Sequence, residues 1–122
     1  MADYIAEIAL EGLEFFAYHG FYEEERQKGN NFTVDVKVSL PYAGVNTEDI
    51  HNTINYEALY KIAAKEMQRS SLLLETVAND IIEQLFSKYP QVLSAEVSVA
   101  KHNPPIEGNC KRSRVTLRRS KQ

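Results

Sequence analysis

Four residues stand where side chains could do chemistry: Glu25, Tyr56, Glu75 and Lys101. Glu75 lies in the stretch LLLETVANDIIEQLF, where Leu74, Val77, Ala78, Ile81, Ile82 and Leu85 follow the spacing of a core-facing helical stripe. Turning about 100° per residue places Glu75 beside Ile82 and Phe86, on the flank of that stripe and away from Asn79, Asp80 and Glu83. Two readings stand for this carboxylate. It is a first-turn acid favoured by the helix dipole, with Ser70 or Ser71 as cap, or it receives a ligand. Lys101 follows Ala95, Val97 and Val99 at the inward parity of a strand that Pro104 and Pro105 stop, so its ammonium emerges at the core-side end. It either snorkels to water or belongs to a site. A carboxylate beside N–H donors suits a flat heterocycle with an amidine edge, and a lysine with a tyrosine can exchange protons.

The elements that must position these groups are legible in order. Tyr4 to Leu10 alternates and continues, past a phase shift at Gly12, through Leu13, Phe15 and Ala17: a long strand with a bulge. Phe21 to Asn31 reads as a polar loop whose Glu23, Glu24 and Glu25 form a solvated charge cluster. Phe32, Val34, Val36, Val38 and Leu40 give a second strand ended by Pro41. Asn55 caps a helix with Tyr56, Leu59, Tyr60, Ala63 and Met67 on its apolar side, and the helix opening at Leu72 follows after a short link. Val92 to Lys101 and Ser113 to Arg119 supply two further strands, the last basic on its outer face. The order β-β-α-α-β-β predicts an α+β fold, one four-stranded antiparallel sheet with two helices on one face. Two open sheet edges invite assembly with further copies.

At 122 residues, with 43% hydrophobic and 25% charged residues, the chain reads as one ordinary globular domain over 1–122. A net charge of −3 gives no general attraction to nucleic acid or an anionic membrane. The one cysteine, Cys110, excludes an internal disulfide and fits a reducing compartment; without a His and acid pattern beside it, it reads as an incidental thiol. No apolar run has the length of a membrane span, and Asp3 and Glu7 stand where a signal peptide would be basic, so a cytoplasmic location is expected. His19, His51 and His102 are isolated and read as surface or loop histidines, with no metal pattern. Nucleotide-phosphate loops and serine-hydrolase elbows are missing.

Five segments together, LEGLEFFAYHGFYEEE, G-x-x-F-x-V-D-V, D-I-x-x-T-I-x-Y-x-x-L-Y, LLETVA and K-x-N-P-P-I, resemble the dihydroneopterin aldolases of folate biosynthesis from about Ile5 to Arg119. The resemblance implies the tunnelling fold, with four subunits joining their sheets into a ring and two rings stacking into an octamer. It implies a lyase that uses no metal, no cofactor and no Schiff base, cutting 7,8-dihydroneopterin by a retro-aldol reaction to 6-hydroxymethyl-7,8-dihydropterin and glycolaldehyde, with side epimerisation to dihydromonapterin. Carried over by motif, Glu75 binds the pterin amino group and ring N–H, the Leu74 backbone and Ile54 help hold the ring, Lys101 acts through water as general acid and base, Tyr56 from a neighbouring subunit protonates the enol intermediate, and Glu25 binds the side-chain hydroxyls or a catalytic water. The chain departs from the usual short turn after the prolines, carrying Glu107 to Lys111 instead. Two rival readings are an epimerase acting on dihydroneopterin or its triphosphate, and an RNA-binding module. Against the first, Lys111 to Arg119 look like a solvated face; against the second, the strand order and aromatic pattern of an RRM are missing.

Overall fold

A computed structural model describes residues 4–43 and 53–121. Its strands are β1 (Tyr4–Ala17), β2 (Asn30–Tyr42), β3 (Ser94–His102) and β4 (Arg112–Ser120), and its helices α1 (Glu23–Lys28), α2 (Tyr56–Met67) and α3 (Leu74–Lys88). The strands form one sheet in the order β1-β2-β3-β4, each neighbouring pair antiparallel. Apart from α1, this is the expected β-β-α-α-β-β arrangement. The bulge falls where the apolar phase shifts: the β1–β2 register jumps between Leu10 and Leu13, Gly12 takes φ +75°, and its N–H donates to the Asp35 carboxylate at 2.6 Å.

One face of the sheet is covered. α2 lies against β1 and β2, α3 against β3 and β4, and the helices touch each other. Val34, Val36 and Val38 of β2 and Val97 and Val99 of β3 are fully buried beneath Leu59 and Ala63 of α2 and Val77, Ile81 and Leu85 of α3. Each such valine or leucine contributes about 1.5–3 kcal/mol of burial, which is what holds the helices to the strands. The opposite face is polar: Lys37 lies 3.6 Å from the Glu96 carboxylate, which also pairs with Arg118.

The structure corrects four local expectations. The segment read as a loop with a solvated acidic cluster contains α1, because three glutamates fill its first turn, Arg26 and Lys28 its last, Glu24 and Lys28 pair at 2.6 Å, and Gly29 at φ +77° ends it. Pro41 does not stop β2. Pairing with β3 ends at Ser39, so beyond it β2 is paired with β1 alone and the missing N–H is tolerated. The last helix opens at Leu74 and not Leu72, and neither Ser70 nor Ser71 caps it; Leu73 stands at the cap position without a side-chain hydrogen bond. β3 starts at Ser94, after a turn closed by the Val92 N–H on the Tyr89 carbonyl. Asn55 does cap α2, accepting from the Glu57 N–H at 2.9 Å. His51, Asp49 and Ile50 lie outside the described residues.

Candidate active site

The inward parity of β3 ends on a charge. After Ala95, Val97 and Val99, all buried, Lys101 sends its stem along the same covered face, opposite Phe32 of β2. Its ammonium meets the carboxylate of Glu25, with only 12% of the lysine side chain and 15% of the glutamate side chain exposed. Two charges so far out of water are tolerated because each supplies the other's counter-charge. The second Glu25 oxygen accepts the Tyr22 N–H at 3.3 Å, which fixes the carboxylate from the start of α1.

The loop between β1 and α1 is shaped around this pair. A Cβ on Gly20 would stand 2.4 Å from the Glu25 Cβ and 2.8 Å from its carboxyl carbon, so the glycine leaves the space in which Glu25 lies. Arg26 closes the turn by donating to the Gly20 carbonyl at 2.8 Å and the Phe21 carbonyl at 2.9 Å. On the other side of the site, Asn103 takes φ +47°, a left-handed conformation that asparagine tolerates, and its N–H bonds the Lys111 carbonyl at 2.9 Å. Asn30 donates to the His102 carbonyl at 2.8 Å, so the strand end that carries Lys101 is held from β2 as well.

Residues 18–20 also grip the approach to α3. The Gly20 N–H donates to the Ser71 carbonyl at 2.9 Å, the Ser70 hydroxyl to the Tyr18 carbonyl at 2.5 Å, and the Ser71 N–H to Nδ1 of His19 at 3.2 Å. Three residues later α3 begins, with Leu74 buried and Glu75 exposed in the first turn.

The structure therefore brings Glu25 and Lys101 into contact and ties Ser70 and Ser71, five and four residues before Glu75, to the end of β1. Tyr56 and Ile54 stand elsewhere, at the start of α2. Ile54 is buried, whereas Tyr56 is 61% exposed, and among the described residues no hydrogen bond, ion pair or ring contact joins it to Glu25, Lys101 or Glu75. His19 lies in the loop between β1 and α1, as one of its two readings had it, but not at the surface: it is fully buried, edge-on to Phe32 with ring centroids 5.3 Å apart. The sequence held the signal, since His19 continues the inward parity of Phe15 and Ala17. Burial pushes its imidazole below the usual 6.5; the Met67 backbone opposes this and the Lys101 charge adds to it. His102 is partly buried, with Nε2 and the Thr33 hydroxyl 2.6 Å apart. Among the described residues no group of three or more His, Cys, Asp or Glu is placed to hold a metal ion.

The family model for dihydroneopterin aldolase (FolB) matches residues 8–118 of this chain. The chain belongs to the dihydroneopterin aldolase family. Its similarity to the dihydroneopterin aldolase of Bacillus subtilis is 34% identity over 116 residues, covering 93% of this chain and 97% of that protein. The structure of Escherichia coli dihydroneopterin aldolase in complex with neopterin superposes with a TM-score of 0.81 at 14% identity, covering 94% of this chain and 99% of that one. A urate oxidase from Bacillus sp. TB-90 shares the fold with a TM-score of 0.69 at 14% identity; 94% of this chain corresponds to 46% of that protein. The fold is thus the tunnelling fold. The family is one of carbon–carbon lyases that cleave dihydroneopterin in folate biosynthesis, and these matches do not favour the epimerase.

Two predictions follow from the geometry of this site in the aldolase family. Gly20→Ala pushes the Glu25 side chain off Lys101, and turnover of dihydroneopterin should fall about tenfold or more while the far-ultraviolet circular dichroism stays unchanged; unaltered turnover would show that the close approach is unimportant. Because the folded-state pKa of His19 is depressed, the unfolded chain takes up a proton near pH 6.5 before the folded one does. Stability present above that pH is lost as pH falls below it. The urea midpoint should therefore drop more between about pH 7.5 and about pH 5.5 in the wild type than in His19→Phe, and parallel profiles would contradict this.

Proposed function

We propose that this chain, as one domain over residues 1–122, cleaves 7,8-dihydroneopterin with Lys101 and Glu25 moving protons, Glu75 and the Leu74 backbone holding the pterin, Ile54 lining the ring, and Tyr56 supplied by a neighbouring copy. The observation that carries this reading is the desolvated Lys101–Glu25 pair at the end of the covered sheet face, beside a loop whose residues 18–20 bond Ser70 and Ser71 just ahead of α3. The neopterin named for the Escherichia coli relative is the same class of ligand.

The chemistry asks for these groups. Removing the 2′-hydroxyl proton lets that oxygen form the carbonyl of glycolaldehyde as the C1′–C2′ bond breaks. The bond's electron pair moves through C6 into the ring imine, and N5 gains a proton. A proton delivered to C1′ of the enol-like intermediate, with the N5 proton released as the C6=N5 imine re-forms, gives 6-hydroxymethyl-7,8-dihydropterin. The pterin is the electron sink, so the lysine has no need to form an imine. Lys101 near both the hydroxyl and N5 can pass protons through water, and Glu25 keeps it aimed while accepting from the substrate hydroxyls. Glu75 in the first turn of α3 offers two acceptor oxygens to the amino group and ring N–H.

Tyr56 is exposed and, among the described residues, unconnected to the pair, which suits completion by another copy. β1 and β4 are the sheet's two edges, so copies can join edge to edge. The reading includes two stacked rings of four and a cytoplasmic location, the latter supported by Cys110 standing as a free thiol. No helix among the described residues is long and apolar enough to cross a membrane.

Purified protein incubated with 7,8-dihydroneopterin should yield 6-hydroxymethyl-7,8-dihydropterin on chromatography. Lys101→Ala should lose turnover by about a hundredfold or more yet still bind pterin. Glu75→Ala should weaken pterin binding by about ten- to a hundredfold, the worth of a hydrogen bond to a charged group. Full activity in both variants, or a wild type that leaves the pterin intact, refutes the assignment. Light scattering should give the mass of eight chains, and a monomer at micromolar concentration would remove the shared site.

A further inference from the structure

We propose that His19 is a positioning residue for this reaction: its imidazole holds the Ser71 backbone to the end of β1, and so sets where Leu74 and Glu75 stand relative to Lys101 and Glu25. The inference rests on the reading that Glu75 takes the pterin and Lys101 moves protons.

The ring of His19 is fixed on the proton-moving side. It lies fully buried and edge-on to Phe32, with an interplanar angle of 78°, and Phe32 is the β2 residue opposite Lys101. Next along the chain, Gly20 is the surface on which the Glu25 side chain rests. Toward α3, Nδ1 of His19 accepts the Ser71 N–H. That bond requires Nδ1 to be unprotonated, so the neutral ring carries its hydrogen on Nε2. Among the described residues Nε2 makes no hydrogen bond of good geometry, although the Met67 backbone lies close enough to favour the charged ring.

A buried donor without a well-formed hydrogen bond costs free energy that a phenylalanine of similar shape would not. What the imidazole adds over an apolar ring is therefore its acceptor for Ser71. That acceptor matters because α3 has no side-chain cap of its own. Ser70 and Ser71, the serines that could have capped it, spend their bonds on Tyr18, His19 and Gly20. The direction from which α3 enters is thus set by this strap, and one end of the strap is His19.

The test compares steady-state kinetics of wild type, His19→Phe, His19→Asn and Ser70→Ala with 7,8-dihydroneopterin, alongside neopterin affinity by fluorescence titration. His19→Phe keeps the ring packing and loses the acceptor; KM should rise about tenfold, neopterin affinity should fall in parallel, and kcat should change less than about threefold. His19→Asn, whose Oδ1 can replace Nδ1, should recover most of the affinity. Ser70→Ala cuts the neighbouring bond at an exposed residue and should raise KM about twofold to threefold. Wild-type KM in His19→Phe overturns the proposal, as does a loss confined to kcat or a phenylalanine effect that asparagine does not repair. Should His19→Phe fail to fold, Ser70→Ala decides: a raised KM supports the strap and a wild-type KM overturns it. If the wild type itself leaves dihydroneopterin intact, the functional reading falls and this inference falls with it, an outcome distinct from failure in the variants alone.

Discussion

The ion pair between Lys101 and Glu25 is the constraint around which the site is built. A lysine at the inward parity of a core strand faces a choice between desolvation and a partner, and the partner must come from another element. Glu25 reaches it only because α1 starts where it does, because Gly20 has no side chain, and because Arg26 folds the intervening carbonyls back. Each of these features is unremarkable alone. Together they place an acid and a base in contact at a depth where water is scarce but can still enter.

The apolar packing serves that constraint. The valines of β2 and β3 bind the helices to one face, which leaves the strand ends and helix starts as the only places where polar chemistry can meet the core. α3 is drawn to this rim by its buried stripe, and its orientation there is set by hydrogen bonds from residues 18–20. Packing supplies the affinity between layers, being large and non-directional, whereas the strap supplies direction at the cost of a few hydrogen bonds. A site needing sub-ångström placement depends on the second kind of interaction although the first dominates stability.

Much of the sheet was legible because alternation leaves a regular trace: the β1 bulge at Gly12, the four strands and the inward parity of Lys101 follow from it. The family motifs pointed to Glu25, Tyr56, Glu75 and Lys101. The helix α1 was hidden because six residues with no apolar stripe carry no periodicity, and only the order of charges marks them. His19 reads as a surface or loop histidine, and the loop half holds; its burial is missed unless strand parity is carried two residues beyond the last β1 residue. The capping expectation at Ser70 and Ser71 failed for a tertiary reason, because a serine can bond a distant backbone as well as its own helix, and local sequence does not say which wins.

The uncovered sheet face bears on how copies can meet. Glu7, Lys37, Glu96 and Arg118 already pair with one another there, so that face has little to gain from being dried. Ile5 and Phe16 of the edge strand β1 share that uncovered face by strand parity, while Tyr56 and Tyr60 stand exposed on α2 and Leu72 and Leu73 at the approach to α3. Joining copies along sheet edges adds backbone hydrogen bonds without burying the charged face, and the apolar residues at the edges and helix starts are then the ones available to a neighbour. Under the proposed assembly Tyr56 is exposed for a reason. A tyrosine that delivers a proton into another subunit's site needs no partner at home, and among the described residues Tyr56 is exposed and makes no contact with Glu25, Lys101 or Glu75.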